Sequence, residues 1–221
     1  MFEDLTELIL ASALFLGGHV ILSAESVRGP LRAKLGGGPF QGLYSLIAVG
    51  ALVWMTLAYF AAPETKLWQA PTFLLHLPLS LMLLLFIAMA ASFTASSPAS
   101  IWAPSPSLED GPSGLFRITR HPLMWATGIW ALLHLAAVGS GRGVVFFGAL
   151  AVLALAGPLL IERRKARELG SQWTAYCAAT SYIPFAAQLS GRTRIHCREI
   201  GWMPVLVGVV LYAVSLIFHE L

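Results

Sequence analysis

Val144-Val145-Phe146-Phe147-Gly148-Ala149-Leu150-Ala151-Val152-Leu153-Ala154-Leu155-Ala156-Gly157-Pro158-Leu159-Leu160-Ile161 runs for eighteen residues without a charge. A run of that kind is read as a helix crossing the roughly 30 Å hydrocarbon core of a bilayer. Five more windows of the same character lie at Leu5–Ala24, Leu43–Ala62, Pro71–Ala95, Pro122–Val138 and Gly201–Phe218. Helices rather than strands follow from their length, because in lipid each segment must satisfy its backbone groups internally. The expected fold is therefore all-α: a polytopic bundle of about six transmembrane helices forming one domain over residues 1–221, with an interfacial helix before the last span.

Composition agrees. Hydrophobic residues make up 57% of the chain and charged residues 11%, with a mean hydropathy of +0.74, which puts it outside the soluble class and makes the bilayer its first partner. Twelve of the 14 basic residues fall in alternate connections: Arg28, Arg32 and Lys34; Arg117 and Arg120; and Arg163, Arg164, Lys165, Arg167, Arg192, Arg194 and Arg198. Only Lys66 and Arg142 fall in the others. The positive-inside rule then places both termini on the periplasmic side, so the net charge of +3 is a topology signal. No nucleic-acid partner is read into it, since the short loops offer no basic surface with stacking aromatics. The start Met1-Phe2-Glu3-Asp4 is acidic where cleavable signals are basic, so the first span is expected to stay. Cys177 and Cys197 share a connection expected to be cytoplasmic, where thiols stay reduced. CxxC, HExxH and P-loop patterns are absent from the sequence.

Two connections are long. The first, Ser96–Arg120, is rich in Pro and Ser and leads into Arg120-His121-Pro122 at the start of a span, where proline is tolerated. Arg117 and Arg120 read either as positive-inside anchors or as cations for an anionic group such as a propionate, phosphate or carboxylate. The second, Glu162–Ile200, opens as a charged helix followed by Trp173 and Tyr176, the pattern of an interfacial helix. Within it, Glu162 reads as a local ion-pair partner of the adjacent basic run.

His19, His76 and His134 lie inside apolar windows, and ionisable groups in hydrocarbon are costly enough to be a site hypothesis by default. Neutral imidazole ligates iron, copper or zinc. Two imidazoles from different helices suit a haem held in a bundle, whereas zinc would prefer a four-ligand cluster with a spacing the chain lacks. At a rise of ~1.5 Å per residue, His134 lies roughly 20 Å from the cytoplasmic side and level with His76, while His19 lies roughly 8 Å above that side. Pairing His19 with His134 then requires tilted helices, which are ordinary.

The stretch Gly114-Leu115-Phe116-Arg117-Ile118-Thr119-Arg120-His121-Pro122, with Trp125-Ala126, Trp130-Ala131-Leu132-Leu133-His134 and Thr180-Ser181-Tyr182-Ile183-Pro184-Phe185, resembles the NnrU family of bacterial inner-membrane proteins. That family includes the 15-cis-zeta-carotene isomerases of plants and cyanobacteria. The resemblance runs from about His19 to about Gly191. It implies a haem b protein with His19 and His134 at the positions of the axial ligands, His76 at a further family histidine, and His121 in the tripeptide. The isomerases carry a cysteine one turn before the second ligand, where this chain has Ala131, so a thiolate exchange is not implied here. Family members in bacteria are associated with denitrification.

The sequence therefore supports a haem-bearing membrane enzyme that transforms a hydrophobic small molecule, such as a polyene, or handles nitrogen oxides. In that reading His19 and His134 ligate iron, and His76 is a third ligand or proton-handling neighbour. Arg117, Arg120, His121 and Trp125 bind the cofactor, and Trp130 and Phe147 line its cavity. The alternatives are an S-adenosylmethionine-dependent methyltransferase built on Arg120, His121 and Glu162, and a non-enzymatic assembly factor for a respiratory complex.

Overall fold

The computed structural model describes residues 5–94 and 111–218. The acidic start, the end of the third apolar window at Ala95 and the Pro/Ser-rich part of the first long connection lie outside the described residues. Helix dominates, and among the described residues the only β feature is an isolated bridge between Lys66 and Ser140. In chain order the helices are α1 (Thr6–Ser23), α2 (Glu25–Leu35), α3 (Gly37–Ala61), α4 (Thr72–Thr94), α5 (Pro122–Val138), α6 (Gly141–Leu169), α7 (Ser171–Ala179), α8 (Ala186–Leu189) and α9 (Trp202–Phe218). Short 3-10 turns occupy Gly114–Arg117 and Cys197–Glu199.

Every apolar window became a helix, and α1, α3, α4 and α6 are long and apolar enough to cross a membrane. α5 and α9 are apolar but have 17 residues each, about 25 Å of helix. Two local readings change. The connection after the first window is itself a helix: Ala24 is extended and ends α1, Glu25 lies in the first turn of α2, and Arg32 and Lys34 lie in its last turn. That placement of charge complements the helix dipole at both ends. The charged stretch after Ile161 is no separate helix but the unbroken end of α6, which stops at Gly170, a glycine with φ +54°. Only beyond it does α7 stack Trp173 on Tyr176, with ring centroids 5.7 Å apart and both side chains buried.

The described chain falls into two compact units, one of Met1–Leu75 with Ala131–Leu160 and one of His76–Trp130 with Ile161–Leu221. In the first, α1 packs along α3. Leu8, Ala11 and Phe15 form one buried stripe and Ala51, Met55 and Ala58 another, at the i, i+3/i+4, i+7 spacing of a helix face. Tyr59 lies against Phe146 and Phe147 at 4.8 and 5.8 Å, and the Arg142 guanidinium sits over its ring. Gly139 organises the turn before α6. Its carbonyl accepts from the backbone N–H of Leu67 and of Trp68 at 2.8 and 3.1 Å, and the Trp68 indole donates to the Ala136 carbonyl at 3.0 Å. With φ +60° and the Trp68 carbonyl where a Cβ would go, only glycine fits there.

In the second unit, α9 approaches α4 so closely at Gly208 that a Cβ would come within 2.8 Å of the Ile87 backbone. Small residues allow such contacts between membrane helices, where dispersion rather than water exclusion holds the pair. The loop structures of this unit gather around the start of α5.

Candidate functional site

In the second unit, the Arg120-His121-Pro122 element folds inward. Arg120 and His121 are buried although both are polar. Arg120 directs Nε and Nη2 at Glu162 Oε1, each at 2.8 Å, and Nη1 at Thr180 Oγ1 at 3.3 Å. The His121 Nε2 lies 3.0 Å from the same carboxylate oxygen. A carboxylate beside a guanidinium accepts, so Nε2 carries the proton and donates. Glu162, from the charged end of α6, is thus a long-range partner of residues 42 and 41 positions earlier. This corrects the local pairing expected from sequence, since on a helix the residues next to Glu162 in sequence point elsewhere. The backbone is locked too. The Arg120 N–H donates to the Ser181 carbonyl at 2.9 Å, Thr119 Oγ1 to the Tyr182 carbonyl at 2.6 Å, and the Trp125 indole to that same carbonyl at 2.9 Å. Burial pushes the Tyr182 phenol and the Cys177 thiol upward in pKa, so both are neutral at pH 7.

Arg117 has a separate partner. Its Nε and Nη2 straddle the Glu199 carboxylate at 2.7 and 2.9 Å, and Glu199 also accepts from the Gly114 N–H at 2.9 Å. These donors, Arg117 first, hold the Glu199 carboxyl at about 2, below its ordinary 4.5. Each arginine singled out for an anionic group therefore meets a carboxylate of the protein itself. Sequence reasoning missed Glu199 and Thr180, which stand 82 and 60 residues from their partners.

The three histidines of the apolar helices have different surroundings. His76, in the second unit on α4, is exposed, and its carbonyl accepts from Ser80 Oγ at 3.1 Å. His19 and His134 both belong to the first unit, on α1 and α5, and both are partly buried. The His134 ring lies 5.3 Å from the Phe147 ring, and Ala131, one turn earlier, is fully buried. His19 directs Nδ1 at the Phe15 carbonyl at 2.7 Å. A carbonyl can only accept, so the proton sits on Nδ1 and the lone pair of the neutral ring sits on Nε2. Such a bond is the usual device for fixing a ligand histidine's tautomer and orientation. The ring stands edge-on to Phe15 and Tyr44, at 4.6 and 5.6 Å, in a crevice between α1 and α3 otherwise lined by Leu14, Gly18, Ile47 and Ala51. No cluster of three or more metal-binding side chains occurs among the described residues.

Residues 7–221 match the family model described as NnrU protein. The chain is 28% identical over 159 residues to the chloroplastic 15-cis-zeta-carotene isomerase of Zea mays, covering 71% of this chain and 42% of that protein. It is 29% identical over 141 residues to its counterpart in Arabidopsis thaliana, covering 62% of this chain and 37% of that protein. The match thus spans about two fifths of the length of these relatives. No solved structure matches the chain significantly.

Proposed function

Given that the chain belongs to the NnrU family, we propose that it is a haem b-bearing membrane enzyme that isomerises double bonds in a hydrophobic polyene. The observation that carries this reading is the open Nε2 of His19 beside an apolar crevice, in a chain similar to zeta-carotene isomerases. The donor chemistry fits haem: two partly buried imidazoles, from α1 and α5, lie within one compact unit. His19 and His134, both of the first unit, would hold the iron. When bound, the haem supplies a redox-active centre able to weaken a conjugated double bond. The chain's own part is to orient and enclose. The Phe15 carbonyl sets the His19 ring and raises its basicity as a ligand. Leu14, Ile47 and Ala51 would form the apolar wall beside it once α1 and α3 part to admit a ligand. Ala131 stands one turn before His134 and cannot coordinate, so ligand exchange with a thiolate plays no part. Because Arg117 and Arg120 are paired with Glu199 and Glu162, the propionates would need other partners. We place both termini on the periplasmic side of a bacterial inner membrane, following the distribution of basic residues.

One observation favours a second reading, methyl transfer at the membrane surface. Arg120, His121 and Glu162, the residues it requires, do converge. They face one another, however, and a cofactor would have to displace the pairing. A role in nitrogen-oxide chemistry would use the same haem.

The test is the visible spectrum of the purified protein supplied with haem. The expected result is a low-spin bis-histidine Soret band that sharpens on reduction. It should be lost or become five-coordinate in His19→Ala and His134→Ala and be kept in His121→Gln, and a host that accumulates a poly-cis carotenoid should show its isomerisation. A wild type that never takes up haem, or His19→Ala and His134→Ala variants with unchanged spectra, would rule the proposal out.

A further inference from the structure

In the second unit, the backbone of residues 183–192 is fastened tightly while its large apolar side chains are left outside. Ser181 Oγ donates to the Ile183 carbonyl and accepts from the Ala187 N–H, at 2.9 and 3.0 Å. Gln188 Nε2 donates to the Arg117 carbonyl at 2.8 Å, and the Phe185 N–H donates to the Ile118 carbonyl at 3.0 Å. Arg192 Nη1 reaches back to the Thr180 carbonyl at 2.8 Å, beyond the end of α7. Ala187 is fully buried. Yet Ile183 is 60% exposed, Phe185 51% and Leu189 89%. Phe185 is also the only non-glycine residue at positive φ among those described, at φ +65°. Left-handed backbone under an aromatic residue is strained, and such strain persists only where its surroundings enforce it.

Strain that holds a phenyl ring outward, next to two more exposed aliphatic side chains, has no account in packing within the protein. The charges indicate what covers this face. Arg194 and Arg198 are exposed and have no ion pair among the described residues, while the nearby Glu199 is already neutralised by Arg117. The segment is also tethered, since α6, just upstream of α7, is long and apolar enough to cross a membrane. Exposed apolar tips followed in the same segment by two unpaired arginines match the boundary between headgroups and acyl chains in an anionic leaflet, and the guanidinium fork matches a lipid phosphate. A protein partner would require none of this cationic rim.

We propose that residues 183–198 form a rigid interfacial wedge, which inserts Ile183, Phe185 and Leu189 into an anionic lipid leaflet and sets Arg194 and Arg198 against headgroup phosphates. This is independent of the haem reading. To test it, the full-length protein carrying Cys177→Ser and Cys197→Ser would be spin-labelled at Phe185→Cys or Leu189→Cys and placed in phosphatidylglycerol-containing nanodiscs. The labels are expected to collide severalfold more often with oxygen than with a water-soluble nickel chelate. That ratio should fall in pure phosphatidylcholine, and also when Arg194→Gln and Arg198→Gln are added. Labels reached mainly by the nickel chelate in both lipids would overturn the proposal. So would labels shielded from both reagents, which would mean a protein cover, or an immersion indifferent to lipid charge and to the two arginines.

Discussion

Both units pair arginines with their own carboxylates, Arg142 with Glu64 in the first, but they differ in what their histidines meet. In the second, Arg120 and Arg117 are met by the protein's own carboxylates, Glu162 and Glu199, and His121 donates to Glu162 as well. In the first, the helix carrying His19 is apolar throughout its middle, and the imidazole has one nitrogen tied to a carbonyl and one left open. A group whose bonding capacity is filled from within is built to hold structure. A group oriented on one side and open on the other is built to receive something. By that criterion Arg120 and Arg117 hold loops around the start of α5, and His19 is the ligand candidate on which the proposed function rests.

The contrast breaks most visibly at Glu162. Glu162→Ala strands a buried arginine and a buried histidine without their shared acceptor, and losing one partner of such a pair costs about 3–5 kcal/mol. Since Glu162 retains some exposure, the lower end of that range is expected, read as a large fall in thermal midpoint in detergent. If the cluster is structural, the protein that remains folded should keep the haem spectrum that the proposed function expects. Unchanged stability with haem lost would reverse the roles assigned to the two units.

Gly139→Ala probes a fastening in the first unit, where backbone and an indole act beside the Arg142–Glu64 pair. The left-handed backbone alone costs about 1–2 kcal/mol for a residue with a Cβ. Overlap with the Trp68 carbonyl forces the turn to shift as well, and overpacking of that kind adds about 1–3 kcal/mol. The thermal midpoint should fall by an amount comparable to that in Glu162→Ala, and the Trp68 fluorescence should change as its indole loses the Ala136 carbonyl. A neutral outcome would mean that this turn is not what closes the unit.

What the sequence made legible follows the same division. Apolar runs are local and lipid demands helices, so Pro122–Val138 was read to the residue and Leu5–Ala24 to within one residue at each end. α2 was not legible, because Gly29 and Pro30 lower its propensity and its basic residues read as a loop. The continuation of α6 through its charged end was hidden for a related reason: the hydropathy changes at Ile161 while the helix does not. His19 and His134 stood out by their cost in hydrocarbon, whereas the open nitrogen of His19 depends on a carbonyl one turn earlier and appears only in three dimensions. The pairs Arg120–Glu162 and Arg117–Glu199 join residues 42 and 82 positions apart, and nothing in a single chain's spacing links them.

The smallest expected effect separates the two arginine pairs from each other. Arg117 and Glu199 lie near the surface, so solvent screens them and the pair is worth at most about 1 kcal/mol. Because the Glu199 carboxyl is lowered in the folded protein to about 2 from 4.5, its stabilisation is complete above the unfolded value. It is lost as pH falls from about 4.5 toward about 2, where the folded protein too takes up the proton. Glu199→Gln should therefore cost little at pH 7, flatten the acid limb of the stability curve over that interval, and leave a difference from wild type that shrinks with added salt. A Glu199→Gln penalty as large as that of Glu162→Ala would show that the outer pair is a structural fastening equal to the inner one, and the gradation from buried to exposed drawn within the second unit would then fail.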